Sequence, residues 1–495
     1  MKTKITLSIV FLIFYSALLG QTTIPGGDVY GNWTVMGSPY LIEGDISVPA
    51  DCTLIIDPGV NVEFQGAFKF NILGLINCQG TESDSILFSA ATSAGHRGLG
   101  IGTDTNVMDS IIFTYCRFQQ GRCSGEWPTN CGGGIGVLFF DRLRVEHCLF
   151  IDNDAMVDAQ AGGGAIAMNQ SDGIFRHNTF IDNKSRYGGA IIVYYHSDPL
   201  IANNYFYDNH GSLEGGAIIY NRSGGGVCSN NEFIANTAVS GGGAISFYDN
   251  SSPQISHNLF SENSTSSRGG AVYMKVSCNP LFLNNTFVNN NANLSGGAIA
   301  DFDQSCPRLV NNIFWGNNAL IGSQYFISDS MCQPGFFNND MEFGKAGVEG
   351  FHNLCDWKGN IVEYPEFEDT TAGIFHLSWI SPCLDAGVDS IIDPDGTISD
   401  QGAYYFDQTG IGVDNLEERN INLTIYPNPA NNRIQITTDG DQVIEEVLIY
   451  NQVGQLMYRQ SWKGSSLDVS DLATGIYILE ARLEDGLVRE KFVKR

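Results

Sequence analysis

Short apolar runs of strand period recur along the middle of the chain. Ile191 and Val193, Ile218 and Tyr220, Ile245 and Phe247, and Val272 and Met274 each fall two apart, and each pair follows a Gly-Gly-Ala triplet. Alternation of this kind puts one side chain inward and the next outward on a strand. A second short run carries Ile201, Ile255, Phe282 and Leu309 inward. A third begins at a phenylalanine that closely follows each of these. Gly-Gly pairs and asparagines separate the runs, and these are turn signals that leave no room for amphipathic helices.

The runs keep step with one another. Phe150, Phe180, Phe206, Phe233, Phe260, Phe287 and Phe314 settle to a spacing of 27 residues, as do Ala165, Ala190, Ala217, Ala244, Ala271 and Ala298 of the Gly-Gly-Ala triplets. Phe118 in "YCRF" is a looser earlier copy. A fixed period of this length marks a solenoid. Three short strands per period describe one coil of a parallel β-helix, with coils stacked about 4.8 Å apart. The phenylalanines are expected to stack inside. Asn178, Asn204, Asn231, Asn258, Asn285 and Asn312, two residues earlier, are expected to form a ladder at a turn, where asparagine tolerates left-handed backbone. The Gly-Gly pairs mark another corner, where a Cβ would clash. Cys52 to Ala90 alternates in the same way and continues the object towards the N-terminus, while "GIFHLSWISPCLDAG" and "DPDGTISDQGAYYFDQ" read as final rungs and a cap that hides the open end.

Two further features of the sequence refine this picture. The opening Lys2 and Lys4, followed by an apolar run from Ile5 to Leu19, read as a secretory signal over residues 1–20, cleaved near Gly20; Gln21 stands where a lipoprotein would need cysteine. Export makes the twelve cysteines candidates for disulfides. Matching slots in neighbouring coils predict Cys116–Cys148 and Cys278–Cys306; Cys123–Cys131 brackets a loop, and Cys52–Cys78 is a further candidate pair, while Cys228 occupies a core strand slot and is expected to be free. The formal charge is −28. Such an acidic body repels nucleic acid and bare polyanions, and suits neutral ligands, cations, or polyanions bridged by Ca2+.

From Ile421 the repeats stop and longer, evenly spaced strands begin, fitting a small β-sandwich of about 75 residues. Residues 409–420 read as a linker, which leaves 21–408 as the capped solenoid and 421–495 as the tail domain. Three motifs follow in order: Tyr426-Pro427-Asn428-Pro429-Ala430, Ile449-Tyr450-Asn451-Gln452-Val453-Gly454-Gln455, and Leu472-Ala473-Thr474-Gly475-Ile476-Tyr477, before a basic end, Lys491-Phe492-Val493-Lys494-Arg495. On these motifs the tail resembles the C-terminal sorting domain of the type IX (Por) secretion system; Asn451 stands where an acidic residue is common. The resemblance implies dealings with the type IX machinery, export across an outer membrane, removal of the tail, and then release or attachment to the outer face of that membrane. The body resembles secreted right-handed parallel β-helix proteins, and its paired motifs resemble the GGA[ILV] and FxxN repeats of polymorphic membrane proteins, many of them adhesins. The fold class is therefore all-β: a right-handed parallel β-helix of about 27 residues per coil, followed by a small β-sandwich.

β-Helices host both enzymes and binders. Candidate chemistry is sparse. Asp152, Asp182 and Asp208 share one slot in successive coils, at the separation of a retaining glycosidase pair, but any stacked pair has that separation. His210-Gly211 has neither paired aspartates nor an Arg-x-Lys beside it, and His147 and His177 look like stack members. Asp393, Asp395 and Asp400 surround Gly396 and could wrap a hard cation such as Ca2+. On the outward side of the Gly-Gly-Ala strands one slot reads Asn169, Tyr194, Asn221, Tyr248, Lys275, Phe302, and another Ala167, Ile192, Ile219, Ser246, Tyr273, Ala300. Tyr194, Tyr248, Tyr273 and Phe302 are thus candidate platforms for a neutral polysaccharide or cell-surface glycan, unless a loop covers the face. The leading expectation is a non-catalytic glycan-binding or adhesin-like protein; the alternative is a polysaccharide lyase or glycoside hydrolase on the same scaffold.

Overall fold

The computed structural model describes residues 20–102, 109–123, 132–156, 162–409, 423–438, 444–451, 456–462, 464, 466–483 and 486–495. The expected signal segment and Cys131 lie outside them. The chain forms two compact units, Met1–Asp407 and Gln408–Arg495.

The first unit is a parallel β-solenoid. Three sheets of thirteen strands run its length, and every neighbouring pair within them is parallel. Each coil contributes one strand to the phenylalanine sheet (for example Tyr205–Tyr207), one to the Gly-Gly-Ala sheet (Ile218–Asn221) and one to a third sheet (Val227–Ser229). A fourth, seven-stranded sheet, from Asp154–Ala155 to Asn318–Ile321, follows the phenylalanine strand in the middle coils. Three strands per coil were expected; the fourth is too short and polar to show a period of its own.

The registers hold as the spacing predicts. Phe88, Phe118, Phe150, Phe180, Phe206, Phe233, Phe260, Phe287 and Phe314 form one buried stack, with centroids 4.6 to 5.0 Å apart and planes within 11°. Ile191, Val193, Ile218, Tyr220, Ile245, Phe247, Ile201 and Ile255 all point into the same core.

The asparagine ladder exists and is paired twice over. The main-chain N–H and the Nδ2 of Asn178 both donate to Oδ1 of Asn204 (2.9 and 3.0 Å), and Asn204 Nδ2 also donates back to the Phe175 carbonyl. The pattern repeats to Asn339 and Asn360. The left-handed residue is not the ladder asparagine but the one before it: His147, His177, Asn203, Asn230, His257, Asn284 and Asn311 have φ between 51° and 56°. Their side chains face outward, so His147 stacks on His177 and on Tyr115.

A second ladder was not anticipated. Asn153, Asn183, Asn209, Asn236, Asn263, Asn290 and Asn317, three residues after each phenylalanine, repeat the same bonds. Their Nδ2 atoms reach the carbonyls of the stacked phenylalanines themselves, as from Asn209 to Phe180 (2.9 Å). At the Gly-Gly corner the first glycine has φ of 60–70°, from Gly242 to Gly163. A Cβ on the second, Gly189 for instance, would collide with the carbonyl of Gly216 one coil on.

The cysteine expectations need correction. Cys148 and Cys116 do occupy ladder slots, but as thiols: Cys148 N–H donates to Asn178 Oδ1, and Cys116 N–H donates to Cys148 Sγ (3.3 Å), which stands in for an asparagine oxygen. Burial pushes both thiols well up. Cys278 and Cys306 are one register position apart. Cys278 aligns with Ser305, and Cys306 with Asn279, so their side chains leave opposite sides of the backbone and no bond forms. Cys78 pairs with Ile56, and Cys52 stands one residue before Thr53, the partner of Leu75; four strand positions therefore separate them, far beyond disulfide reach. Cys228 is buried and free, in line with Ile201 and Ile255.

The terminal segment also departs from expectation. After the last parallel strands, Val348–Gly350 and Asp356–Lys358, the chain leaves the ladder. It turns back along the outside of the phenylalanine sheet. A hairpin of Phe367–Asp369 and Ile374–Leu377 lays Phe375 on Leu259 and Val288, and Leu377 on Ile313. Thr286 Oγ1 accepts the N–H of Ala403, and Asn284 Nδ2 donates to Ser399. The outward row of that sheet turns apolar here, which is what calls for a cover.

The second unit is a three-stranded and a four-stranded antiparallel sheet around one core that includes Ile434, Val447, Ile449, Leu479 and Phe492.

Replacing Phe233 by Ala opens a gap in the middle of the stack and is expected to lower unfolding stability by about 3–5 kcal/mol in chemical denaturation. A second expectation concerns pH. Asp340 lies buried where the cover meets the sheet; burial pushes its carboxyl up to about 7, opposed by the Cys383 thiol and the Glu363 N–H that donate to it. Its folded value is above the unfolded value of about 4, so its favourable contribution is present below pH 4 and is lost as pH rises through 7. The thermal midpoint of Asp340→Asn is therefore expected to fall less than that of the parent between pH 5 and pH 8. Parallel curves would exclude the effect.

Candidate functional site

The outward slots of the Gly-Gly-Ala sheet line up as the repeat spacing predicts. Tyr194, Asn221, Tyr248, Lys275 and Phe302 are register partners in successive coils. Their surroundings are less open than a bare face would be. Ala167, Ile192 and Ile219 are buried in a small satellite cluster with Tyr187 and Tyr194, because the segment entering the Gly-Gly corner folds against them. Tyr273 is only 5% exposed and packs on Phe302 at 5.5 Å, so it is not available as a platform. Tyr194, Tyr248 and Phe302 are half-buried, and cations of the chain lie over their rings: Arg222 over Tyr194 (5.2 Å), Lys275 over Tyr248 (5.8 Å) and Arg268 over Phe302 (5.1 Å). Cation–π contacts of this type tie the rings to the scaffold.

The carboxylate slot is a corner. Asp152, Asp182 and Asp208 all have φ near 52°, the left-handed value of a turn. Asp152 takes a bidentate pair from Arg122 at 2.9 Å, and Asp182 pairs with Lys184 at 2.8 Å. Two of the three carboxylates are thus committed to ion pairs at a turn. His210 begins a strand of the fourth sheet, with Nδ1 2.9 Å from Thr237 Oγ1.

The aspartates around Gly396 do not converge on a cation position. Asp393 accepts the Asp400 N–H (2.8 Å), Asp395 accepts the N–H and hydroxyl of Thr397, and Asp400 accepts the N–H groups of Asp385 and Phe406 (2.8 and 2.7 Å). Burial pushes Asp400 up to about 6 and raises Asp393. Among the described residues no group of three His, Cys, Asp or Glu side chains is placed to hold a metal.

In the tail the motif residues hold the last strand, Gly486–Lys494. Asn428 donates from Nδ2 to the Lys491 carbonyl and accepts the Val493 N–H, both at 2.9 Å. Ala430 exchanges main-chain bonds with Val493 and Arg495. Tyr477 closes the Leu-Ala-Thr-Gly turn through its hydroxyl to the Ala473 carbonyl (2.9 Å). Glu480 is buried and paired with Arg482 and Arg489. Together these bonds tie the C-terminal strand into the sheet.

Comparison with protein families agrees with both units. The model described as "Right handed beta helix region" matches residues 75–266 and 185–379, more than half of the chain in all, and the "Secretion system C-terminal sorting domain" matches 424–495. Searches of curated proteins and of solved structures find no match. The chain thus belongs to the right-handed parallel β-helix family and carries a type IX sorting domain at its C-terminus, the mark of an exported protein.

Proposed function

We propose that the exported β-helix works outside the cell as a non-catalytic scaffold that binds glycans, either released or held on the outer face of the outer membrane once the sorting domain has been removed. The observation that carries this reading is the registered outer row of Tyr194, Tyr248 and Phe302, which repeats ring and polar side chain rung by rung. Sugar rings lie on aromatic faces through their C–H groups, and the neighbouring Asn221 offers an amide for their hydroxyls. A neutral or cationic glycan also escapes repulsion by the acidic chain. The ion pairs at Asp152 and Asp182 favour binding over hydrolysis.

Deletion of Leu472 to Arg495 removes two of the four strands of the larger tail sheet. The truncated protein is expected to accumulate in the periplasm, as read by cell fractionation; normal appearance in the medium would exclude the tail as the address. On a glycan array, Tyr194→Ala combined with Tyr248→Ala is expected to lose about tenfold or more in affinity for the neutral glycans that the parent binds. The thermal midpoint should stay close to the parent's. Parent-like binding, or early unfolding, would remove this row from consideration.

A further inference from the structure

The cover on the phenylalanine sheet stops part-way along. It lies over the coils of Leu259, Thr286 and Ile313, and its last contact is with Glu232, whose Oε1 accepts the Tyr404 hydroxyl at 3.4 Å. Tyr404 is held there by His376, stacked on it at 4.2 Å and 13°. One coil further on, none of the described residues of the returning segment is packed on the sheet, and its two outward residues are Tyr205 and Tyr207. Their rings are parallel within 9°, with centroids 6.0 Å apart, and Tyr207 is 40% exposed. Tyr205 is the direct register partner of Glu232. The edge of the cover and the bare coil therefore make a step: two parallel tyrosines on one side, a third at the edge of the cover, and a carboxylate between them.

The carboxylate has no cation. Among the described residues no Lys, Arg or His lies within ion-pair distance of Glu232, whereas Asp152, Asp182 and Asp303, elsewhere on the solenoid surface, each have one. Its charge is felt by the rings: after burial, it is the next cause pushing the phenols of Tyr205 and Tyr404 up. Exposed Asp208, next to Tyr207 in the chain, adds a second negative charge. A carboxylate without an ion-pair partner, beside Tyr205 and bonded to the Tyr404 hydroxyl, is suited to an ammonium group, which gains from the carboxylate by charge and from a neighbouring ring by cation–π attraction. The parallel rings beside it suit the flat C–H face of a hexose.

We propose that this step is a binding site for an aminoglycan, a polysaccharide whose sugar units carry free amino groups, with Glu232 on the ammonium and Tyr205 and Tyr207 under the sugar ring. The proposal rests on the reading of the protein as a glycan binder, but it names a different face and a narrower ligand class.

The test uses the full chain and calorimetric titration with chitosan oligosaccharides, their fully N-acetylated counterparts, a neutral β-glucan oligosaccharide and oligolysine. The expected result is binding of the chitosan oligomers, with the N-acetylated and neutral sugars weaker by about tenfold or more, the worth of a charge-assisted contact. Glu232→Gln, which keeps an acceptor for Tyr404, is expected to erase that preference, and Tyr207→Ala to weaken every sugar without shifting the thermal midpoint. Equal affinity for acetylated and free-amine sugars, unaltered binding by Glu232→Gln, or oligolysine binding in place of the sugar would each overturn the site. If other glycans bind and are lost only with Tyr194 and Tyr248, this site fails and the general reading stands. If no glycan binds at all, both fail.

Discussion

Inside the corners of a β-solenoid the backbone turns away from its own sheets, and water cannot reach the polar groups left there. An unpaired buried N–H or C=O costs about 1–3 kcal/mol, and every coil repeats the problem. The two asparagine ladders solve it once per coil. Each Oδ1 accepts the N–H and the Nδ2 of the coil before it, and each Nδ2 reaches back to a strand carbonyl. These bonds close only when coils stand one strand spacing apart, in one register. The phenylalanine stack and the Gly-Gly corner follow from that register. Rings 4.6 to 5.0 Å apart are a consequence of it, and the second glycine is needed because the next coil's carbonyl already occupies the space of a Cβ.

Where a coil departs from asparagine, the substitute keeps the same role. Cys148 offers its sulfur to the Cys116 N–H in place of Oδ1, so the two neighbouring cysteines lie in register as members of the ladder. Gln324 ends the second ladder by accepting from Asn317. With the interior committed to stability in this way, chemistry that differs from coil to coil is left to the outward positions. There the coils diverge: ion pairs at the left-handed corner, apolar side chains under the returning C-terminal segment, and rings on two faces.

The tail uses the same logic over a shorter range. Its motif residues Asn428 and Ala430 spend their hydrogen bonds on fixing the last strand, and Tyr477 closes the turn before the strand that pairs with it.

The period of 27, the inward phenylalanines, the first asparagine ladder, the glycine corner and the change of domain near residue 421 were all determined by the sequence itself. Each is a local requirement repeated at a fixed interval, and repetition makes a weak local signal strong. The second ladder carried the same signal in its F-x-x-N spacing. The Cys278–Cys306 pair was misread because its spacing of 28 exceeds the period by one, and a shift of one residue reverses the side of the strand. What the tertiary structure alone decided is where the solenoid is covered and where it is bare. The returning segment covers the coils from Leu259 to Ile313 and stops at Glu232, and the segment before each Gly-Gly corner buries Tyr273. Such coverage joins residues more than a hundred positions apart without any period, so the availability of Tyr205, Tyr207 and Glu232 is set by where one stretch of chain happens to end against another.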